Sequence, residues 1–363
     1  MTGQVKKYQQ VVDWIMTEIE NGNLKKGERL MPENLIASKF DMSRQTIRRA
    51  MQELVDMGVL SRIQGSGTYV GSKKITARKS HMNIAVVSTF YDSYIFPSIL
   101  RGIEKCLSKN DYTMQIAFTD NKIENERRIL LDLLKKDSID GLIIEPSESA
   151  ISKANIDLYE KFSDMQIPVI FFNDRYETYD APCVRMNDYK VAKEATTSLL
   201  QLGHRKIAGI FKSDDGQGSR RYQGYVEGLK SYDIRLSRKN VLWIDSLLLK
   251  DMKDAEDYIF KRIEGCTAVM CYNDEVALQI IDMAEARGIK VPDDMSVISI
   301  DDSNLAGICK VPITSYEHPK EKLGEKAASN LISMIRNSLY DGNYLFDSDV
   351  VWRDSVKKIN DSI

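Results

Sequence analysis

Seven short apolar runs punctuate residues 82–363: MNIAVVS, TMQIAF, GLIIE, PVIFF, KIAGIF, TAVMCY and MSVISI. They are rich in β-branched residues and have the length of strands. The amphipathic stretches between them, about 10–15 residues each, repeat their apolar positions at helical spacing. A parallel sheet with helices on both faces buries this pattern. Roughly 280 residues make two such α/β subdomains. In open sheets of this kind ligands bind at the carboxyl ends of the strands. The residues that directly follow each run are therefore the candidate ligand contacts.

Those residues are polar and aromatic. MNIAVVS is followed by TFYDSYIFP, and GLIIE ends on Glu145. PVIFF leads into Asn173-Asp174-Arg175, and KIAGIF into Lys212 and GQGSRRYQGY. TAVMCY leads into Asn273-Asp274-Glu275, and MSVISI into Asp301-Asp302. Aromatic rings offer a face to a sugar ring, while Asp, Asn, Glu and Arg supply the paired donors and acceptors that hydroxyls need. Asp274 and Asp302 read as helix caps, and His204 as a structural residue in a helix-to-strand turn.

Residues 1–71 follow another pattern. YQQVVDWIMTEIENG places Val11, Trp14, Ile15 and Ile19 at helical spacing before Gly22. MPENLIASKF reads as a short second helix with Leu35, Ile36 and Phe40 inward, and Asp41-Met42 as a turn. In the third, Ser43 is an N-cap, since its hydroxyl can accept from free N–H groups of the first turn. Ile47, Ala50, Met51, Leu54 and Val55 form one apolar stripe, with Arg44, Gln45, Arg48, Arg49 and Gln52 away from it. VLSRIQGSGTYV reads as a hairpin turning at residues 64–67. Three helices and a hairpin make a winged helix-turn-helix, whose third helix enters the major groove N-terminus first. Its arginines crowd the positive end of a helix, where local electrostatics prefers acids; an incoming phosphate or guanine edge would account for them.

Charge supports this division. The chain of 363 residues has a net charge of −2, yet residues 1–80 carry 14 Lys/Arg against 8 Asp/Glu, a net of +6, and the remainder carries −8. A basic head on an acidic body points to nucleic acid at one end only. SKKITARKSH, residues 72–81, reads as a basic tether able to touch phosphates. The expected organisation is thus a DNA-binding domain at 1–71, a linker at 72–81 and an effector-binding and dimerisation domain of two subdomains at 82–363.

ENLIASKFDMSRQTIRRAMQELVDMGVLSRIQGSGTYV resembles the DNA-binding domain of the GntR family. The resemblance implies that Arg44, Gln45, Thr46 and Arg48 face DNA, with Glu33 at the start of the second helix, Gln64, Gly65 and Gly67 in the wing, and Lys7 and Tyr8 just before the first helix. Arg49 is turned toward the side. The family usually places Ser or Thr between the proline and that glutamate; here Met31-Pro32-Glu33 lacks the capping hydroxyl. LGHRKIAGIF, RYQGYVEGL, CYNDEVALQIIDMAEARGIKVPDDMSVISIDDS and ITSYEHPKEKLGEKAA resemble, in order, the sugar-binding domain of the LacI and periplasmic-binding-protein superfamily. That resemblance implies a monosaccharide effector, and the GntR head on this body points to L-arabinose. It places Tyr94 and Phe96 against the sugar ring, Glu145, Asn173, Arg221, Asn273 and Asp301 on its hydroxyls, and His318 at the pocket edge. Arg221 is preferred over Arg220 because the family's arginine lies three residues before the glycine, here Gly224. The implied protein is a homodimeric repressor on a palindromic operator, relieved by sugar, with no cofactor.

Other classes fit less well. No run of about 18 apolar residues or signal-peptide core occurs, so a cytoplasmic, membrane-free location is expected. Five cysteines, an odd number without C-x-x-C spacing, argue against zinc and a disulfide framework. No G-x-S-x-G, Walker, H-E-x-x-H or dinucleotide-binding motif appears. The competing enzyme class is a GntR head fused to a pyridoxal-phosphate aminotransferase, which needs a longer body and a Schiff-base lysine in its own context. A regulator answering a different sugar would share every feature above. A sugar-binding protein without regulation would have no use for the basic head.

Overall fold

A computed structural model describes residues 7–63, 67–71, 80–91, 94–150, 155–337 and 340–359. The chain divides into two compact units, Met1–Ser80 and His81–Ile363.

In the first unit, helices α1 (Lys7–Glu20), α2 (Glu33–Phe40) and α3 (Arg44–Asp56) are followed by an antiparallel pair, β1 (Leu60–Ile63) and β2 (Gly67–Val70). The stripe on α3 buries Ile47, Ala50, Met51 and Leu54 against Val11, Val12 and Ile15 of α1 and Ile36 of α2. The short α2 departs from the expected pattern. Ile36 is fully buried, but Leu35 is 53% exposed. An eight-residue helix has room for only a narrow buried stripe, and neighbouring positions lie about 100° apart around it. Lys7 and Tyr8 open α1 rather than precede it.

The second unit holds two six-stranded sheets. The first subdomain contains β3 (Asn83–Ser88), α4 (Phe96–Lys109), β4 (Thr113–Phe118), α5 (Ile123–Lys136), β5 (Gly141–Ile144), α6 (Ile156–Asp164), β6 (Val169–Phe172) and β7 (Cys183–Met186). The second contains α7 (Asp188–Gln201), β8 (Ile207–Lys212), α8 (Gly216–Lys230), β9 (Val241–Ile244), α9 (Ser246–Lys250), α10 (Glu256–Ile263), β10 (Ala268–Cys271), α11 (Asp274–Ala286), β11 (Ser296–Asp301), α12 (Asn304–Ile308) and β12 (Thr314–Glu317). The chain then returns to the first subdomain for α13 (Lys320–Arg336) and β13 (Tyr344–Phe346), and to the second for β14 (Val350–Val351).

The sheet orders are β13-β7-β6-β5-β3-β4 and β14-β12-β11-β10-β8-β9, with every pairing parallel except β12 with β14. All seven apolar runs are strands. Each sheet is sandwiched between two apolar clusters, one on each face. Helix pairs close over the sheets through glycines. A Cβ on Gly102 would lie 2.1 Å from the Glu321 carbonyl oxygen, and one on Gly224 would lie 2.2 Å from that of Tyr189. The α4–α13 and α7–α8 crossings are therefore backbone-to-backbone. All five cysteines are free thiols. Among the described residues no helix is long and apolar enough to cross a membrane.

Candidate functional site

The basic face of the first unit starts at the N-terminus of α3. Ser43 caps it, with its Oγ accepting from the Thr46 N–H at 3.2 Å. The Thr46 hydroxyl lies 2.9 Å from the same oxygen, so it is engaged with the cap. Arg44, Gln45, Arg48 and Arg49 are exposed, and the first turn contains no acid. The uncancelled helix dipole and three arginines thus present one positive edge.

Glu33 serves two elements at once. It is the acid in the first turn of α2, whose N-cap residue Pro32 offers no side-chain bond. It also accepts from Arg48 Nε at 3.2 Å, which aims the guanidinium outward. Tyr8 lies under Arg49, with 4.6 Å between the guanidinium carbon and the ring centroid. Gly67 is the first residue of β2, paired with Ile63. Gln64, Gly65 and the Lys7 side chain lie outside the described residues.

In the second unit the carboxyl ends of the two sheets face each other. Tyr94, beyond β3, donates to Asp301 Oδ2 at 2.6 Å. Asn121, beyond β4, donates to Ser246 Oγ at 2.8 Å and Asp214 at 3.2 Å. Asp174, beyond β6, accepts from the Gly216 N–H at 2.7 Å and from Arg220 at 2.5 Å. The cleft between these ends contains the sugar-site candidates.

On the second subdomain, Arg221 is the organising group. It is 1% exposed and its three donating nitrogens reach Asp188 at 2.9 Å, the Tyr272 carbonyl at 2.5 Å and Asp301 at 3.1 Å. A guanidinium this buried is tolerable only with such partners. Its face also lies 4.6 Å from the Tyr272 ring centroid. Lys212 sits 3.1 Å from Asp215 and 3.5 Å from Asp214. Burial opposes its charge, but these carboxylates and Glu145 hold its pKa above the ordinary value.

On the first subdomain, Glu145 accepts from the Thr89 hydroxyl, from the Thr89 N–H at 3.2 Å and from Asn173 Nδ2 at 2.7 Å. Burial raises its pKa against these bonds. Phe96 is the first residue of α4 and stacks edge-on with Phe90 at 5.5 Å.

The helix cap here falls one position earlier than expected. Asn273, read as a sugar ligand, is the N-cap of α11; its Oδ1 accepts from the Val276 N–H at 3.0 Å, leaving its amide to reach Glu275 at 3.3 Å. Asp274, read as the cap, is buried instead among Ser299, Ser315 at 2.6 Å and the Ser303 N–H at 2.6 Å. Burial and Asp301 push it up to about 6. Asp302, also read as a cap, pairs with Arg353 at 2.6 Å instead. His204 bonds Thr267 at 2.9 Å and the Lys357 carbonyl at 3.1 Å.

Among the described residues several buried polar atoms have no partner: Ser88 Oγ at the end of β3, Asn173 Oδ1 after β6, Ser303 Oγ after β11 and both ring nitrogens of His318 after β12. Buried polar groups are normally satisfied. These four residues lie at the carboxyl ends of strands from both sheets, where a ligand with several hydroxyls would complete them; other unpartnered atoms, such as Arg185 Nη1 in β7 and Arg262 Nε in α10, lie elsewhere. Burial also drives His318 down to about 4, so its imidazole is neutral and presents one donor and one acceptor.

From sequence alone, Thr89, Asp174 and Lys212 carry no role at the sugar and Arg220 is set aside for Arg221, while Asp188, Asp215 and Tyr272 are not singled out. Most of them follow a strand end, the signal used for the others. Among the described residues no group of three metal-ligating side chains occurs.

Comparison with known proteins places both parts. Residues 7–70 match the gntR family of bacterial regulatory proteins, and residues 196–356 match the periplasmic binding protein-like domain. The arabinose metabolism transcriptional repressor of Geobacillus stearothermophilus is 34% identical over 97% of this chain and 98% of its own length. That of Halalkalibacterium halodurans is 35% identical over 92% and 91%. The crystal structure of the transcription regulator CcpA of Lactococcus lactis superposes with a TM-score of 0.68 at 24% identity, covering 76% of this chain and 99% of that one.

Proposed function

The chain belongs to the family of arabinose metabolism transcriptional repressors, and from that premise we propose that it represses L-arabinose utilisation genes and leaves a palindromic operator when the sugar enters its cleft. The observation that carries the effector half is the set of unpaired buried polar atoms of Ser88, Asn173, Ser303 and His318 at facing strand ends. Carboxylates, amides, hydroxyls and a neutral imidazole around one cleft suit a neutral polyhydroxyl ring better than an apolar or strongly anionic ligand.

Each head reads a half-site through α3, with Arg44, Gln45 and Arg48 at the groove and the wing and Tyr8 toward the backbone. The bodies form a symmetric dimer, which matches a palindromic operator. Sugar holds the two subdomains closed, alters the spacing of the heads and weakens operator binding. Linkage then requires operator DNA to weaken sugar binding by the same factor.

Fluorescence anisotropy on DNA upstream of the sugar-utilisation genes, with a panel of pentoses and hexoses, tests this. Salt-dependent binding released by L-arabinose is expected. Release by another sugar alone would favour the different-effector reading. Absence of DNA binding, with the absorbance of bound pyridoxal phosphate, would favour the enzyme.

A further inference from the structure

The paired arginines of GQGSRRYQGY share Asp188, 2.9 Å from Arg221 and 3.8 Å from Arg220, but their shortest contacts otherwise diverge. Arg221 stays within its own subdomain, on Asp188 and Asp301. Arg220 reaches across the cleft to Asp174 at 2.5 Å. The first residue of the same helix, Gly216, donates its N–H to Asp174 Oδ2 at 2.7 Å. A carboxylate of one subdomain thus sits on the positive end of α8 of the other, where helix dipole and guanidinium both favour it.

Asp174 is saturated in this position. Oδ2 accepts from Ser149 Oγ and Gly216 N–H, and Oδ1 from Arg220 and the Arg175 N–H at 2.8 Å. Two carboxylate oxygens offer about four acceptor sites, and all are filled. This contrasts with the adjacent Asn173, whose Oδ1 is buried and unpaired. Gly216 is required by the same approach: a Cβ there would lie 2.6 Å from Asp174 Oδ2.

We infer that Asp174, Gly216 and Arg220 form a closure latch, a set of positioning residues that fixes how tightly the cleft holds its effector without touching it. The inference rests on the reading that a sugar occupies that cleft. Two of the four donors on Asp174, Gly216 and Arg220, come from the opposite subdomain, so they are lost whenever the subdomains separate. Closure therefore gains a charge-assisted contact in addition to whatever the effector supplies, and apparent effector affinity scales with the fraction of closed protein.

Gly216→Ala separates this role from a structural one. Alanine is the better helix former, so the sugar-free protein should melt at the same or a higher temperature. In the closed state the added methyl displaces Asp174. Calorimetry on the full chain should show L-arabinose binding weakened by roughly 5- to 150-fold, the usual span of a coupling between sites. Asp174→Asn should weaken it similarly, and the double variant no further than the worse single one, because both break one contact. Amide hydrogen exchange of the sugar-free protein supplies a readout independent of the ligand. The residue 216 amide should exchange faster in Asp174→Asn than in the parent. Parent-like exchange together with parent-like L-arabinose affinity in both variants would overturn the latch. Faster exchange in a protein that binds no sugar would leave the latch standing and overturn the effector reading instead.

Discussion

Tyr94 and Asp301 join the two subdomains directly, hydroxyl to carboxylate at 2.6 Å, although the residues are 207 positions apart in the chain. The same hydroxyl accepts from the Asp274 N–H at 3.2 Å, so it stands at the N-terminus of α11. Both residues hold left-handed backbone angles, φ 62° and 105°. Burial, with Asp301 beside it, raises the Tyr94 pKa well above the ordinary value, which keeps the phenol a donor. Tyr94→Phe removes the partner of Asp301 Oδ2 and of the Asp274 N–H in the closed form only, leaving Arg221 on Oδ1. A loss of about 1–3 kcal/mol should appear as weaker L-arabinose binding in calorimetry, with operator affinity of the sugar-free protein unchanged. Full affinity in this variant would mean that the bond does not belong to the ligand-bound state.

The Glu33–Arg48 pair lies in the proposed DNA-contact face of the head, and Arg48 is largely exposed. An exposed pair contributes about 0–1 kcal/mol to stability, so Glu33→Gln should scarcely alter melting. Its expected effect is on recognition, because a freed guanidinium samples more directions. Operator affinity should fall, with discrimination against non-specific DNA, by less than the about 1–3 kcal/mol that Arg48→Ala should cost outright. Sugar binding should be unaltered in both. Competition with non-specific DNA measures the difference, and equal discrimination by Glu33→Gln and parent would show that Arg48 needs no such aim.

How far these sites could be read in advance depended on what positions each residue. The seven apolar runs became strands because burial on both sheet faces leaves a nearly unbroken apolar signature, as in Ile207–Lys212. Five strands, β7, β9, β12, β13 and β14, were not among those runs, although β9, Val-Leu-Trp-Ile, is apolar throughout. β12 is Thr-Ser-Tyr-Glu, and its Thr314 and Ser315 are buried because the Ser355 hydroxyl and the Asp274 carboxylate bond them. β13 is an exposed edge, and β14 has two residues. Strand ends were legible for the same topological reason. Choice between neighbours was harder. Arg221 from Arg220 and Asn273 from Asp274 differ by one position, and which way each side chain turns is decided by partners far along the chain, such as Asp188 and Ser315. Leu35 was expected inward because helical spacing alone does not show which face of α2 meets α3; it is 53% exposed.

RYQGYVEGL owes its glycines to the α7–α8 crossing. The Gly224 backbone lies against Tyr189 and Lys193, and a Cβ would meet the Tyr189 oxygen at 2.2 Å and the Lys193 nitrogen at 2.8 Å. Neither is a flexible tip, so the helices must part. Gly224→Ala is expected to cost about 1–3 kcal/mol, the range of overpacking. It should also weaken sugar binding, because α8 carries Arg221 to Asp301. Urea denaturation with parallel calorimetry checks both, and a parent-like midpoint would show that the crossing relaxes freely.

His318 should give the protein an acid-sensitive component of stability. Its ring is 1% exposed and neither nitrogen has a protein partner. Burial lowers its pKa to about 4, with Lys320 and Arg221 assisting and Asp301 opposing. The unfolded residue titrates near 6.5. Between those values the unfolded chain holds a proton that the folded one rejects, so stability falls as pH drops, by about 1.4 kcal/mol per unit and about 3 kcal/mol in all. Asp274 works in the opposite direction. Held up to about 6, it stays protonated when folded and adds stability as pH falls from 6 toward the ordinary carboxylate range. A comparison of the parent with His318→Gln removes that contribution, since Asp274 is common to both. Urea curves from pH 4.5 to 7.5 should show the variant gaining on the parent as pH falls. Saturating L-arabinose should extend the acid loss of the parent to lower pH without changing its slope, because hydroxyls on the ring nitrogens would favour the neutral imidazole further. Parallel pH profiles for parent and variant would contradict a neutral, unpaired His318 in the folded protein.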